Sequence, residues 1–273
     1  MRIGVVAPGR PVSHEGSLRL SAFMALTYPA HEIVFHPQCY LSEGHFAGSD
    51  AVRAAAFLEY ANDPSFDAIW FARGGYGSNR ILEAVMPRLG PAANRKTYIG
   101  FSDMGFLMGA LYARRIGKQL HGAMASSVGM NDKAEAAGWV LAWLIEGDKQ
   151  GLEPSLLTDK RPAAAFNLAI LTTLIGTPWM PDLTDHVLMI EDVSEPLYRI
   201  DRMLFQMAHA TQLKGIAGIR LGYVTDIQEN DPPFNETPEQ MIVRWCGEMK
   251  VPYLGRAEIG HVELNRVVPF GVI

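Results

Sequence analysis

Short apolar, β-rich runs alternate with helix-like stretches through about the first hundred residues, and this constrains the chain more than any other feature. That alternation encodes a parallel sheet covered by crossover helices. Ile3 to Ala7 reads as the opening strand, a helix from about Ser17 to Tyr28 follows, and Glu32 to Phe35 is the next apolar run. Ser49 is placed to cap a helix carrying Val52, Ala55, Ala56 and Tyr60. Asp67 to Ala72 is a strand running into Arg73-Gly74-Gly75-Tyr76-Gly77, after which Ser78 or Asn79 can cap a helix with Ile81, Leu82 and Val85. Thr97 to Phe101 is a further strand. Beyond Ser102 an apolar helix reaches Tyr112, with Arg114 and Arg115 as its basic last turn and Gly117 as its C-cap.

At 273 residues the chain is long enough for two cores. A helix from Asp132 to Glu146 is followed by a polar stretch with charges and prolines, Gly147 to Pro162. The expected division is therefore an N-terminal domain over 1–146, a linker over 147–165 and a C-terminal domain over 166–273. In the second half, Val187 to Ile190 and Ile216 to Val224 read as strands. Glu195-Pro196 opens a helix with Leu197, Ile200, Leu204 and Met207 on one face, and Thr237-Pro238-Glu239-Gln240 has the form of a capping box. The fold class expected is α/β: an N-terminal parallel-sheet domain plus a smaller C-terminal α/β domain.

With 24 basic against 29 acidic side chains and no long run of like charge, nucleic acid is not an expected partner. Cys39 and Cys246 support neither a disulfide framework nor a CxxC motif, and Met1 to Pro8 holds too few apolar residues for a signal-peptide core, so a cytoplasmic location is expected. Pro162 to Pro181 is uncharged, but Asn167, its threonines and Pro178 make it protein interior instead of a membrane span. No histidines pair at metal-ligand helical spacing, so no metal and no cofactor is expected.

The strongest local chemistry is Gly100-Phe101-Ser102-Asp103-Met104-Gly105, where a strand ends and a helix begins at a serine. A sharp turn of this kind exposes a nucleophile beside free helix N–H groups, although serine there is equally an ordinary N-cap. The glycines after Arg73 allow close backbone approach to a ligand and a second oxyanion N–H, or simply a tight turn; the dinucleotide fingerprint is incomplete at Arg80. His261 suits a loop-borne base, and Glu191, at the end of an apolar strand, is either its orienting acid or a helix N-terminal acid.

Together these segments resemble the L,D-carboxypeptidase family of serine peptidases, which includes the microcin-immunity peptidases. The resemblance runs from Ile3-Gly4-Val5-Val6-Ala7-Pro8 through Phe46-Ala47-Gly48-Ser49-Asp50 to Arg53, the Arg73 to Gly77 loop, Gly100-Phe101-Ser102-Asp103 and His121-Gly122-Ala123-Met124. It continues in Leu188 to Glu195 and in Gly260-His261 to Pro269-Phe270-Gly271.

The resemblance implies a triad of Ser102, Glu191 and His261 between two domains, an oxyanion hole from the N–H groups of Asp103 and Gly75, and substrate contacts by Arg73, Gly74 and Asn167. It also implies a homodimer without cofactor or metal that releases D-alanine from murein tetrapeptide in cytoplasmic cell-wall recycling. The alternatives are an amidase of the microcin-immunity type, acting on a peptidyl-nucleotide or other amide conjugate, and a binding protein without turnover. Ala165-Phe166 stands where relatives usually have two glycines, which predicts a less open backbone near the substrate, and Phe101 replaces a frequent tyrosine.

Overall fold

The computed structural model describes residues 1–129, 134–228 and 230–273. Strands β1 (Arg2–Val6), β2 (Glu32–Phe35), β3 (Ala68–Phe71), β4 (Thr97–Gly100) and β5 (Lys118–His121) alternate with helices α1 (His14–Thr27), α2 (Asp50–Asn62), α3 (Leu82–Val85), α4 (Gly105–Ala113) and α5 (Ala134–Glu146). The second part runs β6 (Ala163–Asn167), α6 (Leu168–Leu174), β7 (Val187–Val193), α7 (Leu197–His209), β8 (Gly218–Thr225), α8 (Pro238–Met249) and β9 (Tyr253–Arg256), then β10 (Val268–Pro269). The helix expected from Asp132 begins outside the described residues.

The strands form two sheets, ordered β10-β5-β4-β3-β1-β2 and β6-β7-β8-β9. All neighbours are parallel except β10, which runs antiparallel to β5. The short connections and buried β-rich runs read from the sequence explain the parallel pairing, since each crossover helix covers a sheet face. In the first sheet the direction of strand addition reverses between β1 and β3. Open α/β sheets leave a crevice outside the carboxyl ends of their strands at such a switch point.

Local signals decide the helix starts. Ser13 and Ser49 accept N–H bonds from Gly16 and Val52 as N-caps, and Thr237 with Gln240 closes a capping box. No side chain caps the turn at Ser78 or Asn79; Gly77 holds that position in a left-handed conformation. α4 ends at Ala113, so Arg114 and Arg115 lie past it instead of forming its last turn, and Arg115 itself takes a positive φ of 55°.

The linker expected over 147–165 needs correction. Leu152 and Leu156 are buried, the Glu153 N–H donates to the Val267 carbonyl at 3.0 Å, and 163–165 already lie in β6. Nor do all of residues 166–273 stay with the second sheet: β10 joins β5, and Gly271 bridges to Ala163. Asp148, Lys149, Pro154, Lys160 and Arg161, which signalled a boundary, are exposed, while Leu152, Glu153 and Leu156 between them are buried.

Phe166 also departs from expectation. Its ring is buried against α4 at the two glycines of Gly105-x-x-x-Gly109, where an added Cβ would lie 3.5 and 3.4 Å from it. A Cβ on Gly109 would also come within 2.9 Å of Leu174, so the absence of side chains lets α4 lie close to α6. Phe166 thus fills a helix groove between the two sheets and does not line the cavity that opens on Ser102.

Candidate active site

Ser102 stands directly after β4, the buried central strand of the first sheet. Phe101 is extended and Ser102 turns to φ 56°, a left-handed conformation that costs a non-glycine residue about 1 kcal/mol or more. A one-turn 3-10 segment, Ser102–Met104, then leads into α4. The capping position belongs to Phe101, and the Ser102 hydroxyl points elsewhere: its Oγ lies 3.1 Å from His261 Nε2.

Strand periodicity separates the two acids of β7. Successive residues point to opposite faces, so Glu191 shares a face with Met189, while Asp192 shares one with Ile190 and the helices. Asp192 takes the helix-end role, accepting from the Ala169 N–H at 3.1 Å and from Asn167 Nδ2 at 3.0 Å. Glu191 is left for His261, with 2.7 Å between its Oε2 and His261 Nδ1. An irregularity in β7–β8 pairing falls here, and a Cβ on Gly222 would stand 3.0 Å from Glu191 Cβ and 2.7 Å from the Ile259 carbonyl. Glycine at 222 therefore lets the strand carrying the acid and the loop carrying the histidine meet.

A carboxylate only accepts hydrogen bonds, so His261 Nδ1 carries the proton and Nε2 is free to accept from the Ser102 hydroxyl. Glu191 is fully buried, and its other oxygen has no donor among the described residues. Positive charge developing on His261 would thus face an anion in surroundings where water cannot screen it.

The glycine loop follows β3, the neighbour of β4. A Cβ on Gly74 would come 3.3 Å from both Cβ and Oγ of Ser102, and Gly75 has φ 111°. The N–H groups of Gly75 and Asp103 have no protein acceptor among the described residues. The Asp103 side chain, unused in the sequence reading, holds the loop: it accepts from the Ser78 N–H at 2.9 Å and the Gly77 N–H at 3.3 Å, while Ser78 Oγ donates to the Asp103 carbonyl at 2.6 Å. Buried Arg53 joins the loops after β1 and β3 by donating to the carbonyls of Pro8 and Gly77.

Burial pushes the Asp103 and Asp192 carboxyls up from 3.8 to about 6. Both groups hold protons more tightly folded than unfolded. The stability linked to this is complete below about pH 4 and lost as pH rises through about 6. Urea midpoints measured from pH 4 to 7 are expected to fall less steeply in Asp103→Asn than in the wild type; equal slopes would exclude Asp103 as a contributor.

His121, at the end of β5, is buried. Its Nε2 donates at 3.3 Å to Asn265 Oδ1, which also accepts the Gly260 N–H at 2.9 Å and so anchors the residue beside His261 to the first sheet. Burial, against the opposing charge of Glu191, takes the His121 pKa down to about 4, so it is neutral at physiological pH. The side-chain role of Asp103, and Asn265 altogether, escape sequence reading because their partners are distant in the chain; the one available signal is a polar residue inside a glycine-flanked turn.

A cavity of about 250 Å³ opens on Ser102 and His261 and is lined also by Arg10, Arg73, Gly74, Gly75 and Phe101. Arg73 and Gly74 are thus where a substrate contact was expected. Asn167 is not: it is buried away from the cavity, capping α6 by accepting the Ile170 N–H at 3.2 Å. Asn167→Ala is expected to lower stability by about 1 kcal/mol through the lost cap, read by chemical denaturation. Among the described residues no three His, Cys, Asp or Glu side chains converge as metal ligands, and no helix is long and apolar enough to cross a membrane.

Comparison with known proteins agrees with this architecture. Residues 3–122 match the LD-carboxypeptidase N-terminal domain and residues 164–273 the LD-carboxypeptidase C-terminal domain. A Streptomyces coelicolor protein with a provisional carboxypeptidase name is 32% identical, over 99% of this chain and 88% of its own. The murein tetrapeptide carboxypeptidase of Pseudomonas aeruginosa is 26% identical, over 76% and 71%. The crystal structure of muramoyltetrapeptide carboxypeptidase from Oxalobacter formigenes shares the fold, with TM-score 0.82 and 24% identity over 99% of this chain and 93% of that one. Two family models in order and a relative of this identity along nearly the whole chain establish that it belongs to the LD-carboxypeptidase family of serine peptidases.

Proposed function

We propose that this carboxypeptidase releases the terminal D-alanine of murein tetrapeptide in the cytoplasm, with Ser102 as nucleophile, His261 as general base and Glu191 as the acid that orients it. The observation carrying the reading is one histidine bridging two parts of the fold, 3.1 Å from the serine of a strand-to-helix turn and 2.7 Å from a buried carboxylate. The murein relative of Pseudomonas aeruginosa supports the substrate class.

In this mechanism Ser102 Oγ attacks the carbonyl on the L-centre before D-alanine and passes its proton to His261 Nε2. The tetrahedral oxyanion is held by the N–H groups of Asp103 and Gly75. His261 returns the proton to the departing amine. Water, activated by the same imidazole, then hydrolyses the acyl-enzyme.

Mass spectrometry of the protein incubated with murein tetrapeptide tests this directly. D-alanine is expected from the wild type and not from Ser102→Ala. Absence of release, together with labelling of Ser102 by a fluorophosphonate, would replace the substrate with another amide, a peptidyl nucleotide first.

A further inference from the structure

The residues that would tell a chain end from a chain interior lie at the switch point of the first sheet. Arg10 follows β1 and Arg73 follows β3, the adjacent strands between which strand order reverses. Both line the cavity that holds Ser102. The aliphatic stem of Arg10 lies on Gly75, at the point a Cβ would occupy, so glycine at 75 makes room for it as well as for the turn.

Like charges at one cavity mouth need a reason. Neither guanidinium forms an ion pair or hydrogen bond among the described residues. The acid lining the same cavity, Glu263, is exposed and pairs with neither. On the far side of Arg73 a second cavity of about 480 Å³ contains Glu15, but that carboxylate is paired with Arg19. Partial burial, and then the charge of Arg10, lower the pKa of Arg73, which marks the two cations as close. Arg53 ties the loops after β1 and β3 together from below, so the pair is mounted on buried structure.

We propose that Arg10 and Arg73 together bind the free C-terminal carboxylate of the peptide, beside Ser102, and thereby restrict cleavage to the last residue of a chain. Planar guanidinium groups match a carboxylate's two oxygens, and a carboxamide offers neither the charge nor the second acceptor. The choice of peptide rests on the D-alanine-releasing reading; the carboxylate site does not.

The test is calorimetric binding to Ser102→Ala, which holds substrate without turnover, using the tetrapeptide, its C-terminal carboxamide, and a tetrapeptide amidated only at its interior carboxylates. The tetrapeptide is expected to bind about 10- to 100-fold more tightly than the C-terminal amide. Adding Arg73→Gln or Arg10→Gln is expected to bring that ratio towards one by weakening the acid alone. An unchanged ratio, equal weakening of acid and amide, no binding of either, or a preference that follows the interior carboxylates would each overturn the assignment. Turnover of the unmodified protein separates the two ideas. D-alanine release with an Arg-independent ratio removes the carboxylate site only, whereas an Arg-dependent ratio without release removes the substrate reading only.

Discussion

Ser102→Ala and His261→Ala are each expected to lower kcat by roughly 10⁵- to 10⁶-fold and Glu191→Gln by roughly 10⁴-fold. In the proposed mechanism the three side chains act as one relay, so the double variant Ser102→Ala/His261→Ala should be no worse than either single. Additive losses would mean that serine and histidine serve separate steps. Stability should distinguish the variants in another way. Ser102 is partly buried and alanine keeps its Cβ, so its alanine variant should unfold at the wild-type denaturant concentration. His261 supplies the hydrogen bond to Glu191 Oε2, and Glu191 Oε1 has no donor among the described residues. His261→Ala therefore leaves a buried carboxylate without that partner, a loss of about 1–3 kcal/mol. A wild-type midpoint for His261→Ala would show that water reaches Glu191.

Phe166→Ala is expected to cost about 3–5 kcal/mol in chemical denaturation, the range for emptying an aromatic site in a packed core. The ring fills the groove opened by Gly105 and Gly109 and meets Phe270 at 5.2 Å between ring centroids. Its loss loosens contact between α4, which follows Ser102, and the sheet that carries Glu191. Activity should fall through population of an undocked state, and Phe166→Leu should recover most of it. Full activity and stability in Phe166→Ala would place the docking energy elsewhere, in the β10 crossing.

Much of the fold is readable locally because its determinants are local. The capping residues Ser49 and Thr237, the glycine turn after β3 and the serine turn after β4 act within a few residues of themselves, and hydrophobic periodicity marks the strands between them. The same logic separates Glu191 from Asp192, since neighbouring strand residues must face opposite ways.

The errors share one cause. Composition and resemblance do not reveal the partners that hold Phe166 and the 147–165 stretch, Gly109 for Phe166 and Val267 for Glu153, or the bond to Asp192 that fixes Asn167 while it caps α6. The side-chain roles of Asp103, His121 and Asn265 are set in the same way by residues distant in the chain.

By itself the sequence determined an α/β chain with a serine at a strand-to-helix turn, a glycine loop, and an acid and a histidine available in the second half. Only the tertiary structure decided that these meet, because the 2.7 and 3.1 Å separations depend on how α4 packs on α6 and how β10 returns to β5. Periodicity and capping act over a few residues, whereas a hydrogen bond between Ser102 and His261 spans 159 residues and exists only when two sheets are docked.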